Sequence, residues 1–323
     1  MRFGPWNSNR GVPRSESVNF QRMQRNEPPR PESAASSVVE LAVGPRLRPL
    51  GGLEVNRVWP TARRRTIGPF IFFDHLTLAE LPPGRGLDVP PHPHIGLAAV
   101  TYLFGGELLH RDSLGIAELI RPGELNWMTA GRGIVHSERT PPEERARTGA
   151  IHGVQSWVAL PREAEDREPS FEHLDAAALP VVERPGVRLR LLAGEAFGAI
   201  APVATLSRLF YLEADFAAGA KLTLAAGLGE RGVYGVHGGI AIGSAQYGPG
   251  SMLVLRDGSD VEIRSPGPSK VMLLGGAPLG GERHIWWNFV ASSKQRIERA
   301  KRDWRERRFP SVPGDDERMP LPE

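Results

Sequence analysis

The sequence contains no cysteine, which excludes disulfides, iron–sulfur clusters and thiolate chemistry. Any metal must therefore be held by histidines and carboxylates. Lysine is nearly absent: of the 40 basic residues 4 are Lys and 36 are Arg, and the net charge is only +3. Phosphate recognition is one reading of that arginine surplus. The basic residues concentrate in the tails, so a biased composition accounts for them better, and direct nucleic-acid binding is not expected. Long apolar runs are also missing. The longest uncharged stretch, Gly232 to Leu255, is broken by seven glycines, a proline, a histidine and a glutamine, and reads as hairpin strands rather than a membrane span. No apolar core of a signal peptide follows Arg2 and Arg10 within the first 35 residues, so a cytoplasmic protein without membrane contact is expected.

Glycine (37) and proline (30) are abundant in the 323 residues, a density of turns that favours many short strands over long helices. The length favours two domains. Residues 1–36, rich in Arg, Pro, Ser and Asn without period, read as a disordered extension. Strand-like sequence begins at Ser37, and the charged, proline-bounded segment from Pro161 to Pro169 reads as a linker. The organisation expected is residues 37–165 as one unit, 166–280 as a second, and 281–323 as a tail with a helix. In that tail Val290, Ile297, Ala300 and Trp304 recur at helical spacing, Ser292 and Gln295 resemble a capping box, and Pro310 ends the pattern. The apolar stripe of this helix is expected to pack on its own protein.

The two strand-rich units read as copies. Gly105-Gly106 is followed by Pro122-Gly123 and Gly131; Gly238-Gly239 is followed by Pro249-Gly250 and Gly258. Both copies keep the same number of residues between the Pro of the turn and the final Gly, as expected of duplicated antiparallel barrels.

The sharpest chemical feature is Pro91-His92-Pro93-His94. Residues i and i+2 of an extended segment share a face, and the prolines pre-order the chain, so both imidazoles project together. A second i, i+2 pair, His136 and Glu138, follows the glycine turn Gly131-Arg-Gly133. Two adjacent strands donating two side chains each would give a sphere of three histidines and one carboxylate, suited to one divalent metal: Fe(II), Mn, Co, Ni, Cu or Zn. Aligning the copies on their glycines sets Ile263 and Ser265 opposite His136 and Glu138, and Ala225 and Gly227 opposite His92 and His94. The second unit is thus expected to be metal-free.

At these residues the chain closely resembles the pirin family, two-domain members of the cupin superfamily. The resemblance lies in His92-Pro-His94, Val100-Thr-Tyr-Leu103, His110-Arg-Asp-Ser-Leu-Gly115, Trp127 to Glu138, and His284-Ile-Trp-Trp-Asn-Phe-Val-Ala-Ser-Ser293, and it covers roughly residues 40–310. It implies an all-β fold of two cupin-type antiparallel barrels with a C-terminal helix, and iron on His92, His94, His136 and Glu138. It further implies either a quercetin 2,3-dioxygenase, taking a flavonol and O2 with Glu138 as the base for the flavonol hydroxyl, or a non-enzymatic iron-containing regulator that binds a transcriptional or metabolic partner protein. Where many pirins continue the first motif His-Arg-Gly-Phe-Glu, this chain reads His94-Ile95-Gly96-Leu97-Ala98. Ile95 and Ala98 are expected to remove a cation and a carboxylate from the surroundings of the metal. Three lesser candidates remain: His110 with Asp112, as an acid–base pair or a structural couple; Asp74-His75, placed at a strand end for capping or packing; and Trp286-Trp287, as packing.

Overall fold

The computed structural model describes residues 38–146 and 149–323; the expected extension over residues 1–36 lies outside the described residues. The architecture is two antiparallel β-barrels followed by a helix, as the turn-rich sequence implies.

In the first barrel a seven-stranded sheet runs in the order Ser170–Leu174, Leu125–Thr129, Leu97–Gly105, Gly149–Ala159, Phe70–Leu81, Leu53–Trp59, Arg46–Leu50. A four-stranded sheet closes it, ordered Asp88–His94, Ile134–Arg139, Leu108–Asp112, Ala117–Ile120. The second barrel repeats the plan. Its large sheet is ordered Val39–Val43, Met252–Leu255, Glu230–His237, Ser269–Gly276, Leu209–Phe216, Val187–Ala196, Val181–Arg184; its small sheet is Lys221–Leu224, Val261–Arg264, Ile240–Ile242, Ala245–Tyr247.

Two strands cross the boundaries expected from the linker. Val39–Val43 pairs with Met252–Leu255 of the second barrel, and Ser170–Leu174 pairs with Leu125–Thr129 of the first. Each repeat therefore gives its leading strand to the other's sheet, where backbone hydrogen bonds cover an edge that would otherwise stand open. The large sheets also pack on each other, with Phe73 against Tyr234 at 4.7 Å and Phe70 against Tyr211 at 5.2 Å between ring centroids. Both faces of the central strands are covered, which is why Leu97–Leu103 is buried without alternation.

The C-terminal helix is Lys294–Arg305, and Ile297, Ala300 and Trp304 form its buried face. Two details differ from the sequence reading. Ser293, not Ser292, is the N-cap and accepts from Arg296 N, while Ser292 Oγ donates to Glu165 Oε2 at 2.8 Å. Val290 lies outside the helix in the hairpin His284–Trp286/Phe289–Ala291, where a period-2 run meets the first helical turn. Asp74 and His75 likewise sit inside the strand Phe70–Leu81 rather than at its end. Asp74 there takes a two-pronged hydrogen bond from Arg57 on the neighbouring strand, at 2.9 and 2.8 Å. No helix among the described residues is long and apolar enough to cross a membrane.

Candidate metal centre

Asp88–His94 and Ile134–Arg139 are neighbours in the small sheet, with His92 opposite His136 and His94 opposite Ile134. The register slips between His136 and Glu138, where Pro90 and Pro91 have no N–H to offer the ladder. Alternation does the rest. His92, His94 and His136 turn into the barrel, and their ring nitrogens include a set lying within 4.8 Å of one another. All three are buried, at 6, 1 and 2% exposure.

The hydrogen bonds of the rings leave specific atoms over. Pro90 O can only accept, so His92 Nδ1 donates to it at 2.8 Å and Nε2 is left unprotonated. The His94 ring donates to the backbone carbonyl of Asn288, and its Nδ1 has no partner. His136 Nδ1 lies 3.4 Å from His110 Nδ1, and His136 Nε2 has no partner. A buried polar atom left unpaired costs about 1–3 kcal/mol, so two of them within one cluster of histidines signal a missing ligand. Burial, first of all, holds the pKa of each of the three rings below its ordinary value; for His94 and His136 neighbouring imidazoles add to this, while the Pro90 carbonyl and Glu138 partly offset it for His92. They are therefore neutral donors, the form a metal requires.

Glu138 is 6% exposed and lies outside the group of three whose donor atoms come within 4.8 Å. Its carboxylate is held by the large sheet: Thr101 Oγ1 donates to Oε1 at 3.0 Å and Gln155 Nε2 to Oε2 at 2.7 Å. Thr101 and Gln155 are a cross-strand pair, one for each oxygen. Each oxygen keeps a free lone pair, so the carboxylate is oriented without being exhausted. Neither residue was singled out from the sequence. The available signal was a polar side chain set in the apolar runs around Val100-Thr-Tyr-Leu103 and Val154-Gln-Ser-Trp157.

The site sits between two apolar clusters, one including Leu97, Ala99, Met128 and Trp157, the other Val89, Leu103 and Leu108. Trp157 stands edge-on to His94 at 5.3 Å. The tail hairpin presses on the same strand end. Ile95 bridges Phe289, Val290 N donates to Ile95 O at 3.2 Å, and a Cβ on Gly96 would meet Val290 O at 2.0 Å. At φ +68°, position 96 favours glycine on backbone grounds as well. Trp287 is buried in this cluster and Trp286 packs at its edge, under Lys301 Nζ at 4.4 Å.

The two departures expected to strip charge from the metal's surroundings lie elsewhere. Ala98 is on the opposite face of its strand from Thr101, with Val100 and Tyr102 in the core between the barrels. Ile95 packs among Trp287, Phe289 and Trp304. Neither takes a charge from the histidine cluster.

In the second barrel Ile263 is opposite Leu222 and Val261 opposite Leu224. Overlaying this register on the first barrel sets Leu222, Leu224 and Ile263 where His92, His94 and His136 stand, and all three are buried apolar core. The expected partners Ala225 and Gly227 are corrected by three positions, because the turn Ala226–Leu228 lengthens the path to Gly239. Among the described residues one further set, Glu124, His173 and Asp175, could hold an ion. It lies nearer the surface, with His173 Nδ1 tied to Asn126 Oδ1 at 2.7 Å.

The pirin family profile matches residues 52–158 and that of the pirin C-terminal cupin domain matches residues 211–310. A pirin-like protein of Caulobacter vibrioides is 45% identical over 88% of this chain and all of its own length. Pirin of Rattus norvegicus is 33% identical, covering 84% of this chain and 93% of its own. The crystal structure of quercetin 2,3-dioxygenase from Acinetobacter baumannii superposes with a TM-score of 0.80 at 33% identity, covering 88% of this chain and 94% of that one.

Proposed function

This chain belongs to the pirin family, and on that premise we propose that it is an iron-dependent dioxygenase cleaving flavonols such as quercetin. The observation that carries the reading is the buried cluster of His92, His94 and His136, in which His94 Nδ1 and His136 Nε2 have no hydrogen-bond partner. His92, His94, His136 and Glu138 would hold the metal. A bound Fe(II) supplies Lewis acidity toward a flavonol oxygen and reactivity toward O2. Glu138, held in place by Thr101 and Gln155, would accept the proton of the flavonol hydroxyl. The similarity to the Acinetobacter enzyme supports the substrate class.

A second reading, a metal-containing regulator that binds a partner protein, has its own support. The histidines are at most 6% exposed. Beside Ile95 a cleft of about 200 Å3, smaller than the roughly 300 Å3 at which small-molecule sites begin, is lined by Arg132, Asp166, Arg296, Arg299 and Asp303. Such a charged face suits a protein partner.

Turnover separates the two. Iron-loaded protein should consume quercetin under oxygen, seen as loss of its visible absorbance, faster than equimolar free iron. Glu138→Gln should lower the rate per bound iron, most at low pH, where solvent supplies less flavonolate. Protein no faster than free iron, with Glu138→Gln neutral per bound iron, would replace the dioxygenase by the regulator.

A further inference from the structure

We propose that His110 and Asp112 are positioning residues for His136, and that Phe171, delivered by the strand the second repeat gives to the first barrel, clamps His110 in that role. The inference rests on the reading of His136 as a metal ligand. His110 and Asp112 occupy Leu108–Asp112, the strand on the far side of Ile134–Arg139 from His92, with Asp112 opposite His136 and His110 opposite Glu138.

A chain of hydrogen bonds sets the direction of every proton. Asp112 Oδ1 accepts from Leu114 N at 2.8 Å and Ile116 N at 3.2 Å, in the turn that follows the strand. Its other oxygen lies 3.1 Å from His110 Nε2. A carboxylate that accepts two backbone amides is an acceptor, so His110 Nε2 carries the proton and donates it. In its neutral form the ring then has a lone pair on Nδ1. That atom faces His136 Nδ1 at 3.4 Å, the long link of the chain, and accepts the proton His136 carries there. The proton of His136 is thereby kept off Nε2, the buried atom without a partner. Two turn amides thus decide, through two side chains, which nitrogen of His136 is free to bind. An imidazole ligand commonly needs such a partner on its other nitrogen, and losing it weakens metal binding about 10–100-fold.

Phe171 supplies the remaining constraint. Its ring lies on that of His110 with 4.4 Å between centroids and 18° between planes. A stack of this kind leaves His110 free to slide but not to tilt out of line with Asp112 and His136. Phe171 belongs to Ser170–Leu174, so the metal-free repeat contributes a side chain to the metal-bearing one.

The test uses the full-length chain loaded with zinc(II), a diamagnetic probe, with its histidines labelled with 15N. In the wild type the His136 resonances should show Nδ1 protonated and Nε2 coordinated. His110→Phe keeps the stacking volume and removes the acceptor; Asp112→Asn removes the carboxylate that orients it. Each should weaken zinc affinity 10–100-fold in chelator competition and mix the two ring forms of His136, while Phe171→Leu should weaken it several-fold. A wild-type His136 protonated on Nε2 would overturn the proposal without recourse to any variant. So would a folded His110→Phe protein with wild-type affinity and a single His136 form. Failure of the underlying reading looks different: His136→Ala would bind zinc as tightly as the wild type.

Discussion

His75 is as buried as the site histidines, at 3% exposure, but it serves the joint between the barrels. Its Nδ1 meets Tyr234 Oη at 2.8 Å and its Nε2 meets His152 Nε2 at 3.0 Å. Burial, and then the neighbouring His152, push its pKa down to about 3. His152 is itself pushed down, by burial and then by Lys270 and His237. The sign follows from where the proton goes: unfolded His75 protonates near its ordinary value of 6.5, whereas the folded ring stays neutral until about pH 3. The unfolded state therefore binds the extra proton between these values, and stability falls as pH drops through that window, by up to about 1.4 kcal/mol per pH unit. Urea unfolding of His75→Gln between pH 4.5 and 6.5 should show a pH dependence shallower by nearly one proton. A slope equal to the wild type's would mean that His75 already titrates in the folded protein.

At the scale of single elements, the tail acts on the site through the strand Phe289–Ala291 of its hairpin and the segment after the helix. Met319 N donates to Pro91 O at 2.9 Å, and Trp304 Nε1 donates to Met319 O at 3.0 Å. Arg139 makes a two-pronged bond to Asp315 at 2.8 and 2.9 Å. Both strands that carry the candidate ligands are thus strapped from outside. Trp304→Ala should destabilise by about 3–5 kcal/mol in chemical denaturation, the range for emptying a buried aromatic site. A loss under 1 kcal/mol would show that the helix only rests on the barrel. The helix face was legible in the sequence because Ile297, Ala300 and Trp304 repeat at its own period. The clustering of His92 and His94 with His136 was legible because i and i+2 share a face in any strand. What hides from the sequence is contact between distant segments: Phe171 on His110, Asn288 on His94, and Thr101 with Gln155 on Glu138. None of these has a local spacing to betray it. The glycine-anchored alignment failed by three residues for a related reason, since only strand pairing reveals the added turn at Ala226–Leu228.

Across the whole molecule, duplication and strand exchange tie the two copies to each other. One sheet order is used twice, with Val39–Val43 and Ser170–Leu174 traded between the copies, so neither large sheet is complete alone. In the second copy Leu222, Leu224 and Ile263 fill with apolar core the space that His92, His94 and His136 keep polar in the first. On the proposed reading, one barrel would carry the metal and the other its support. Anomalous X-ray scattering from crystals of the metal-loaded protein tests this division most directly. One peak per chain is predicted, within about 2.0–2.2 Å of a nitrogen of each of His92, His94 and His136 and of a Glu138 oxygen. A stoichiometric metal found anywhere else, or a second peak beside Leu222 and Ile263, would contradict it.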